Sequence, residues 1–448
     1  MKRTVLIILA LAFACKEGAQ NFNTGFFLDN YCYGARINPA LQYKEEYVGA
    51  IFNNICISEN ATVGAGNFLF PSDGQLVTGL HPSIPASQFL SGLKRDNSLG
   101  IDADYTLYSQ AVKKEKYRFV IEVMLKSYHQ LSLPYELFAL AKNGSSATPY
   151  DLSRTRIDSR NYLEGSYVYS RQVVKGLTVG GRAKLMMGLA SASLQAEKMD
   201  VTANAERWEV NSNARLLMSA PFMSLVSRED TGETGFAWDA RQLHPCGVGV
   251  GVDLGAVYTP VKGLTLSLSV LDIGCIWWHN NINSSVVAAE SFSGISGLSL
   301  DGSSIPEEVG KVIEKFGKAF TLKSDNPIWK AEGLPTTFNF GARYAMPFYD
   351  KLSVGLHASI RSFANVVNSD FRLGATISPV EWFSFTTNYG FGSNGSNFGA
   401  ALAIGGKPVN FFIGGEIYTG RTGQAAGVSL IPLAASHNML NFGLSFTY

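Results

Sequence analysis

The chain has 448 residues, of which only 16% are charged, and its 37 Lys and Arg against 36 Asp and Glu leave a formal charge of +1. That balance offers no electrostatic footprint for nucleic acid, and a mean hydropathy of +0.06 is far too polar for a bundle of membrane helices. With 45 glycines and 12% aromatics, the composition suits a large sheet whose apolar positions alternate with polar ones.

In chain order, Lys2 and Arg3 precede an apolar run over residues 4–14, so residues 1–19 read as an export signal. Ala12 and Ala14 suit one cleavage point, and a cut near Ala19 or Gln20 is the other reading. Cys15 follows Ala14 and raises a lipoprotein reading, against which stands Ala12 at the position where leucine is usual. Cys32, Cys56, Cys246 and Cys275 remain for an oxidising compartment. A Cys32–Cys56 bridge and free, packed thiols both stay open, and no spacing suits zinc.

Residues 20–45 carry Gly25, Gly34 and Pro39 with little periodicity and form a plug-like segment before the sheet. Within it, Pro39 fixes its own φ and pushes Asn38 out of the helical region, so Asn38-Pro39-Ala40 is a fixed bend.

From residue 46 to 448 the dominant signal is period-two alternation. Phe119, Ile121, Val123 and Leu125 oppose Val120, Glu122, Met124 and Lys126; Val248, Val250, Val252 and Leu254 oppose Gly249, Gly251, Asp253 and Gly255. Similar runs cover residues 101–107, 177–185, 264–270, 338–344, 352–361, 371–377, 383–389, 397–404 and 410–418. The last residues put Phe442, Leu444, Phe446 and Tyr448 on one face and Asn441, Gly443, Ser445 and Thr447 on the other. Runs that approach 9 to 11 residues fit tilted strands across a bilayer, apolar outside and polar inside.

Six short turns of similar character, near residues 108–113, 169–177, 258–264, 344–352, 377–383 and 405–411, join strand ends, and four of them carry proline. With both chain ends on that same side, they imply about 14 strands, and the weakly patterned residues 190–246 leave room for another pair. Long polar connections over 71–98, 129–158, 226–245 and 279–335 read as extracellular loops, the last with a short helix over 304–316. The fold class expected is all-β, an antiparallel transmembrane β-barrel with an N-terminal plug-like segment and long extracellular loops.

On the inner face this pattern places Asp102, Asp104, Glu122, Lys126, Arg182, Lys184, Asp253, Arg343, His357, Arg361, Arg372 and Glu416. Two readings fit them, a polar lumen that handles solutes and ion pairing that fills and holds the barrel. Gly249, Gly251, Gly255, Gly341, Gly355 and Gly374 share that face and leave room for a plug against the wall. The histidines at 81, 129, 244, 279, 357 and 437 are scattered, and no serine elbow, phosphate loop or metal spacing occurs, so the chain reads as a non-enzyme without cofactor or metal.

The Asn38-Pro39-Ala40 step followed by such a barrel resembles the FadL-like and PorV-like superfamily of outer-membrane barrels, in an uncharacterised Bacteroidetes-type branch. The resemblance implies the outer membrane of a Gram-negative bacterium and a transporter or channel for small hydrophobic compounds. FadL relatives pass such molecules sideways through the wall at a kinked strand, which the sequence does not locate. A PorV-like accessory or scaffold barrel in protein secretion or surface display is the alternative. Implied partners are outer-membrane lipid, the barrel assembly machinery, and a hydrophobic small molecule or a secreted protein. The aromatic end at Tyr448 resembles the signal that the assembly machinery reads.

Overall fold

The computed structural model describes residues 22–72, 75–144, 146, 148–203, 208–227, 234–288, 320–363, 366–393, 395–425 and 428–448. The expected signal segment with Cys15 and the helix expected over 304–316 lie outside the described residues. The wall is one closed antiparallel sheet of fourteen strands. They are β1 (Tyr47–Ala61), β2 (Asp96–Lys113), β3 (Tyr117–Pro134), β4 (Arg156–Val174), β5 (Leu177–Ala203), β6 (Gly247–Tyr258) and β7 (Leu264–Asn280). There follow β8 (Thr336–Met346), β9 (Tyr349–Phe363), β10 (Val366–Val380), β11 (Phe383–Gly392), β12 (Gly395–Ile404), β13 (Val409–Tyr418) and β14 (Ser436–Thr447). Closure comes from β14, whose Phe442 lies opposite Ile55 of β1 on one side and Ile413 of β13 on the other.

Alternation along these strands is what makes the cylinder a membrane barrel. Leu185, Leu254, Leu268, Phe338, Leu373, Ile417 and Phe446 are exposed on the outside, whereas their sequence neighbours Lys184, Asp253, Ser267, Asn339, Arg372, Glu416 and Ser445 are buried inside. Closure leaves no unpaired edge within the hydrocarbon, and the apolar exterior is the surface of an outer-membrane barrel.

At the end where β1 begins and β14 finishes, every connection between wall strands is short: residues 114–116, 175–176, 259–263, 347–348, 381–382 and 405–408. The first lies beyond the 108–113 expected, because β2 and β3 stay paired down to Lys113 opposite Arg118.

At the other end the strands outgrow the wall. Above residue 190, β5 leaves β6 and pairs with Trp208–Ser219, which pairs with Ile282–Ala288, and that with Phe320–Asp325. The weakly patterned stretch therefore does hold strands, but they form an annex above the wall. Helices α1 (Ala86–Ser91) and α2 (Tyr135–Asn143) pack there around Phe70, Phe89, Leu140, Tyr150 and Met199. Cys32, Cys56, Cys246 and Cys275 are free thiols, so no Cys32–Cys56 bridge is formed.

Candidate functional site

The lumen at the short-turn end is filled by residues 22–46. Two single 3₁₀ turns, Asn23–Phe26 and Gly34–Arg36, fold the segment back on itself. Phe22, Phe26, Phe27, Tyr31, Tyr33 and Ile37 make its apolar centre, and wall residues Val120, Val168, Ala401 and Phe412 join that core. A barrel interior that is polar by pattern thus contains an apolar body, sheathed by hydrogen bonds to the wall.

Inward glycines let this body touch the backbone. A Cβ on Gly341 would run into Phe26, one on Gly374 would meet Phe27 at 3.0 Å, and one on Gly255 would strike Asn38. Gly249 and Gly251 serve a different purpose: their neighbours are Ile276 and Leu334, well away from the plug.

Asn38 is fully buried and bridges two wall strands. Its Nδ2 donates to the carbonyls of Ala256 (3.0 Å) and Leu268 (3.0 Å) and to Ser267 Oγ (2.8 Å), and its Oδ1 accepts from Ala40 N at 2.8 Å. Pro39 packs on Gly180, so the Asn38-Pro39-Ala40 bend seats the plug against β5, β6 and β7.

Charged contacts hold the rest of the rim. Arg36 meets Glu122 at 2.8 Å, Asp29 meets Arg343 at 2.8 Å, and Thr24 donates from N (3.0 Å) and Oγ1 (2.7 Å) to Glu416 Oε1. Burial pushes the Asp29 carboxyl upward, but Arg343 and the Ser378 hydroxyl outweigh it and hold its pKa below the ordinary value. Burial drives the Cys32 thiol up to about 12, which leaves it unreactive.

The twelve inner-face charges fall into separate groups. Arg182 reaches Glu122 (2.9 Å) and Asp253 (3.4 Å), and Lys184 reaches Asp253 (2.7 Å) and Asp272 (2.5 Å). Lys126 pairs with Glu164 at 3.1 Å, and Asp104 lies opposite Lys126 with its Oδ1 unpaired among the described residues. Across the barrel, Arg372 binds Asp370 (2.5 Å) and Glu416 (2.5 Å), and Glu416 also takes His437 at 2.7 Å. Arg361 binds Asp102 at 2.6 Å. His357 lies against the Phe26 ring at 4.9 Å, and neither of its nitrogens has a hydrogen-bond partner among the described residues.

Sequence reasoning missed Glu164, Asp272 and His437. Glu164 was legible, since Asp158, Arg160, Tyr162, Glu164 and Ser166 alternate inward along β4. Asp272 was not. It sits in a bulge of β7 with φ 59°, where the β6–β7 register shifts between Val252 and Leu254. The bulge reverses the facing of everything after it, so Ile276 and Trp278 point inward although Leu264, Leu266 and Leu268 point outward.

This bulge is the irregular point of the wall. Directly beside it the partner of β7 changes at Leu334 and Pro335 from β8 to a separate strand, Ile328–Gly333, so the ladder is interrupted between the pairs Leu271–Thr337 and Cys275–Gly333. Two bonds bridge the break, from Leu334 N to Gly274 O (3.0 Å) and from Thr336 Oγ1 to Asp272 O (3.1 Å). Above the charges, Tyr128, Tyr162, Met186, Cys246, Ile276, Trp278 and Leu334 form an apolar cluster inside the wall. Tyr162 Oη and Trp278 Nε1 within it have no hydrogen-bond partner among the described residues. Outside, a groove of about 660 Å³ lined by Ala342, Val354, Leu356, Leu373, Ala375 and Phe398 faces the lipid.

A family model described as a family of unknown function (DUF5723) matches residues 39–415. No curated protein matches the chain. Among solved structures, the toluene transporter TodX of Pseudomonas putida aligns at 8% identity and a TM-score of 0.42, covering 92% of this chain and 93% of its own. A FadL homologue of Pseudomonas aeruginosa aligns at 11% identity and a TM-score of 0.44, covering 95% of each chain. The toluene transporter TbuX of Ralstonia pickettii aligns at 9% identity and a TM-score of 0.43, covering 97% of this chain and 99% of its own.

Proposed function

The chain belongs to this DUF5723 family, and on its geometry we propose that it is an outer-membrane transporter for small hydrophobic compounds, released sideways at the β7 bulge. The observation that carries this reading is the meeting, at one height, of an interrupted ladder and an inward apolar cluster. A water-filled pore is lined by polar side chains, whereas Met186, Ile276, Trp278 and Leu334 offer an apolar surface beside the gap between β7 and β8. The plug blocks the straight route below, so the break in the wall is the shorter exit. The Tyr162 hydroxyl and Trp278 indole N–H, unpaired among the described residues, suit a compound that carries one hydrogen-bond acceptor.

Cys275 lies directly opposite Gly333 across the ladder above the break. Gly333→Cys therefore allows a disulfide that staples this seam. Uptake of a hydrophobic tracer by cells that carry the oxidised variant should fall several-fold and return on reduction. Unchanged uptake with the disulfide formed would refute passage through the seam, and unchanged uptake on deletion of the whole protein would refute transport itself.

A further inference from the structure

The outer surface of β3 and β4 breaks its own rule. Tyr117, Ile121 and Leu125 face outward on β3, and Tyr169, Tyr167 and Leu163 on β4, but the next outward positions are Ser127, His129, Asn161 and Ser159. The four belong to two cross-strand pairs, Ser127 opposite Asn161 and His129 opposite Ser159. Their side chains join in a chain of short hydrogen bonds: Ser127 Oγ to His129 Nε2 at 2.8 Å, His129 Nδ1 to Ser159 Oγ at 2.8 Å, and Ser127 Oγ to the Asn161 carboxamide at 2.6 Å.

We propose that these residues form an acyl-ester hydrolase site on the lipid-facing side of the barrel, with Ser127 as nucleophile, His129 as general base and Ser159 as the positioning residue. As placed, Ser127 Oγ donates to Asn161 Oδ1, and the proton arithmetic admits the base assignment in the other of the two tautomers of His129. A serine hydroxyl carries one proton. When His129 Nδ1–H donates to Ser159, Nε2 is left as acceptor, and it takes that single proton from Ser127. The Asn161 contact must then run the other way, with the amide NH₂ turned toward Ser127, an orientation open to any carboxamide by a flip. One tautomer thus sets a base on the serine and a donor beside it, where an oxyanion would develop.

Position selects the substrate. Ser127 is ten residues up β3 from the aromatic pair Tyr117 and Tyr169, which at about 3.3 Å per residue and a tilt of about 40° is a rise of about 25 Å, one apolar belt. The cluster therefore lies at the far interface, where the ester groups of membrane lipids lie. The flanking outward residues are Ala103 and Ile101 on β2 and Ala190 and Ala192 on β5, three of the four small, and the cluster itself is half-buried. The β4–β5 ladder skips Leu189 beside Asn161, a bulge of the kind that re-aims side chains at active sites.

In the reaction Ser127 Oγ bonds to the ester carbonyl carbon while its proton passes to His129 Nε2, and the carbonyl electron pair moves onto the oxygen held by Asn161. Collapse breaks the bond to the alcohol oxygen, which takes the proton from His129. Water then attacks the acyl-serine with His129 again as base, which releases the carboxylic acid and restores Ser127. The net change is ester plus water to acid plus alcohol.

The test uses the folded barrel in detergent micelles with a fluorophosphonate probe and with phospholipid vesicles. The expected result is a single probe adduct mapped to Ser127 by peptide mass, and release of fatty acid. Ser127→Ala and His129→Gln should each reduce release by at least about 100-fold, and Ser159→Ala should shift the pH profile of release. An absence of adduct and of fatty-acid release from the heat-modifiable wild-type barrel overturns the proposal and leaves a self-satisfied polar cluster. So does release that is unchanged in Ser127→Ala. Because the adduct is read on the wild-type chain, a variant that fails to fold does not spare the idea.

Discussion

The barrel wall is closed in two ways. From β9 to β14 the ladders β9–β10, β11–β12, β12–β13 and β13–β14 run without register shift, and side-chain bonds such as Glu416 to His437 and Arg372 to Asn388 add to a backbone ladder that is already continuous. Inner side chains on that side also grip the plug, as Glu416 does with Thr24. From β5 to β8 the ladder bulges at Asp272 and breaks at Leu334 and Pro335, and there Lys184, Asp253 and Asp272 tie the strands together through side chains. On the regular side these side-chain bonds supplement a complete ladder, whereas at the seam they stand where backbone pairing is interrupted. That interruption makes the seam the part that can open without stripping a full ladder.

The largest effect is expected on the regular side. Arg372→Ala leaves Glu416 and Asp370 without their cation in a fully buried setting, a loss of about 3–5 kcal/mol, read as a lower denaturant midpoint of the barrel in micelles. On the irregular side, Asp272→Ala and Asp272→Gly both strip Lys184 of a partner, yet only glycine accepts φ 59° freely. Alanine should cost about 1 kcal/mol more. Equal midpoints for the two variants would mean that the charge, and not the backbone, sets the bulge.

A third comparison concerns the plug. Gly255→Ala drives a methyl group into Asn38 and should cost about 1–3 kcal/mol, with faster protease cleavage within residues 22–46 as its specific sign. Gly165→Ala, with open space around the new methyl, serves as the control.

The smallest effect is the acid response of the rim. Asp29 has a folded pKa below its ordinary 3.8, so its pairing with Arg343 stabilises fully above that value and is lost as pH falls through the lower one. Hydrogen exchange of the plug should rise slightly below pH 4 in the wild type. Asp29→Asn should show no such step, and a step of equal size in that variant would assign it to other carboxylates.

Sequence alone determined the class of this protein. Period-two alternation follows directly from strand geometry, and each strand is read independently of its neighbours, so the apolar outside, the polar inside and the short turns were all legible. Even the plug left a trace in inward glycines such as Gly341 and Gly374. Sequence could not supply what depends on pairing between distant strands. The bulge at Asp272 is set by the register of β6 against β7, and it reverses the facing of Trp278 with no local mark. His129 looked isolated among scattered histidines because Ser159 and Asn161 lie some thirty residues away and meet it only when β3 pairs with β4. Register is a property of two segments at once, and both the seam and the polar cluster on the outer wall exist only in that second dimension.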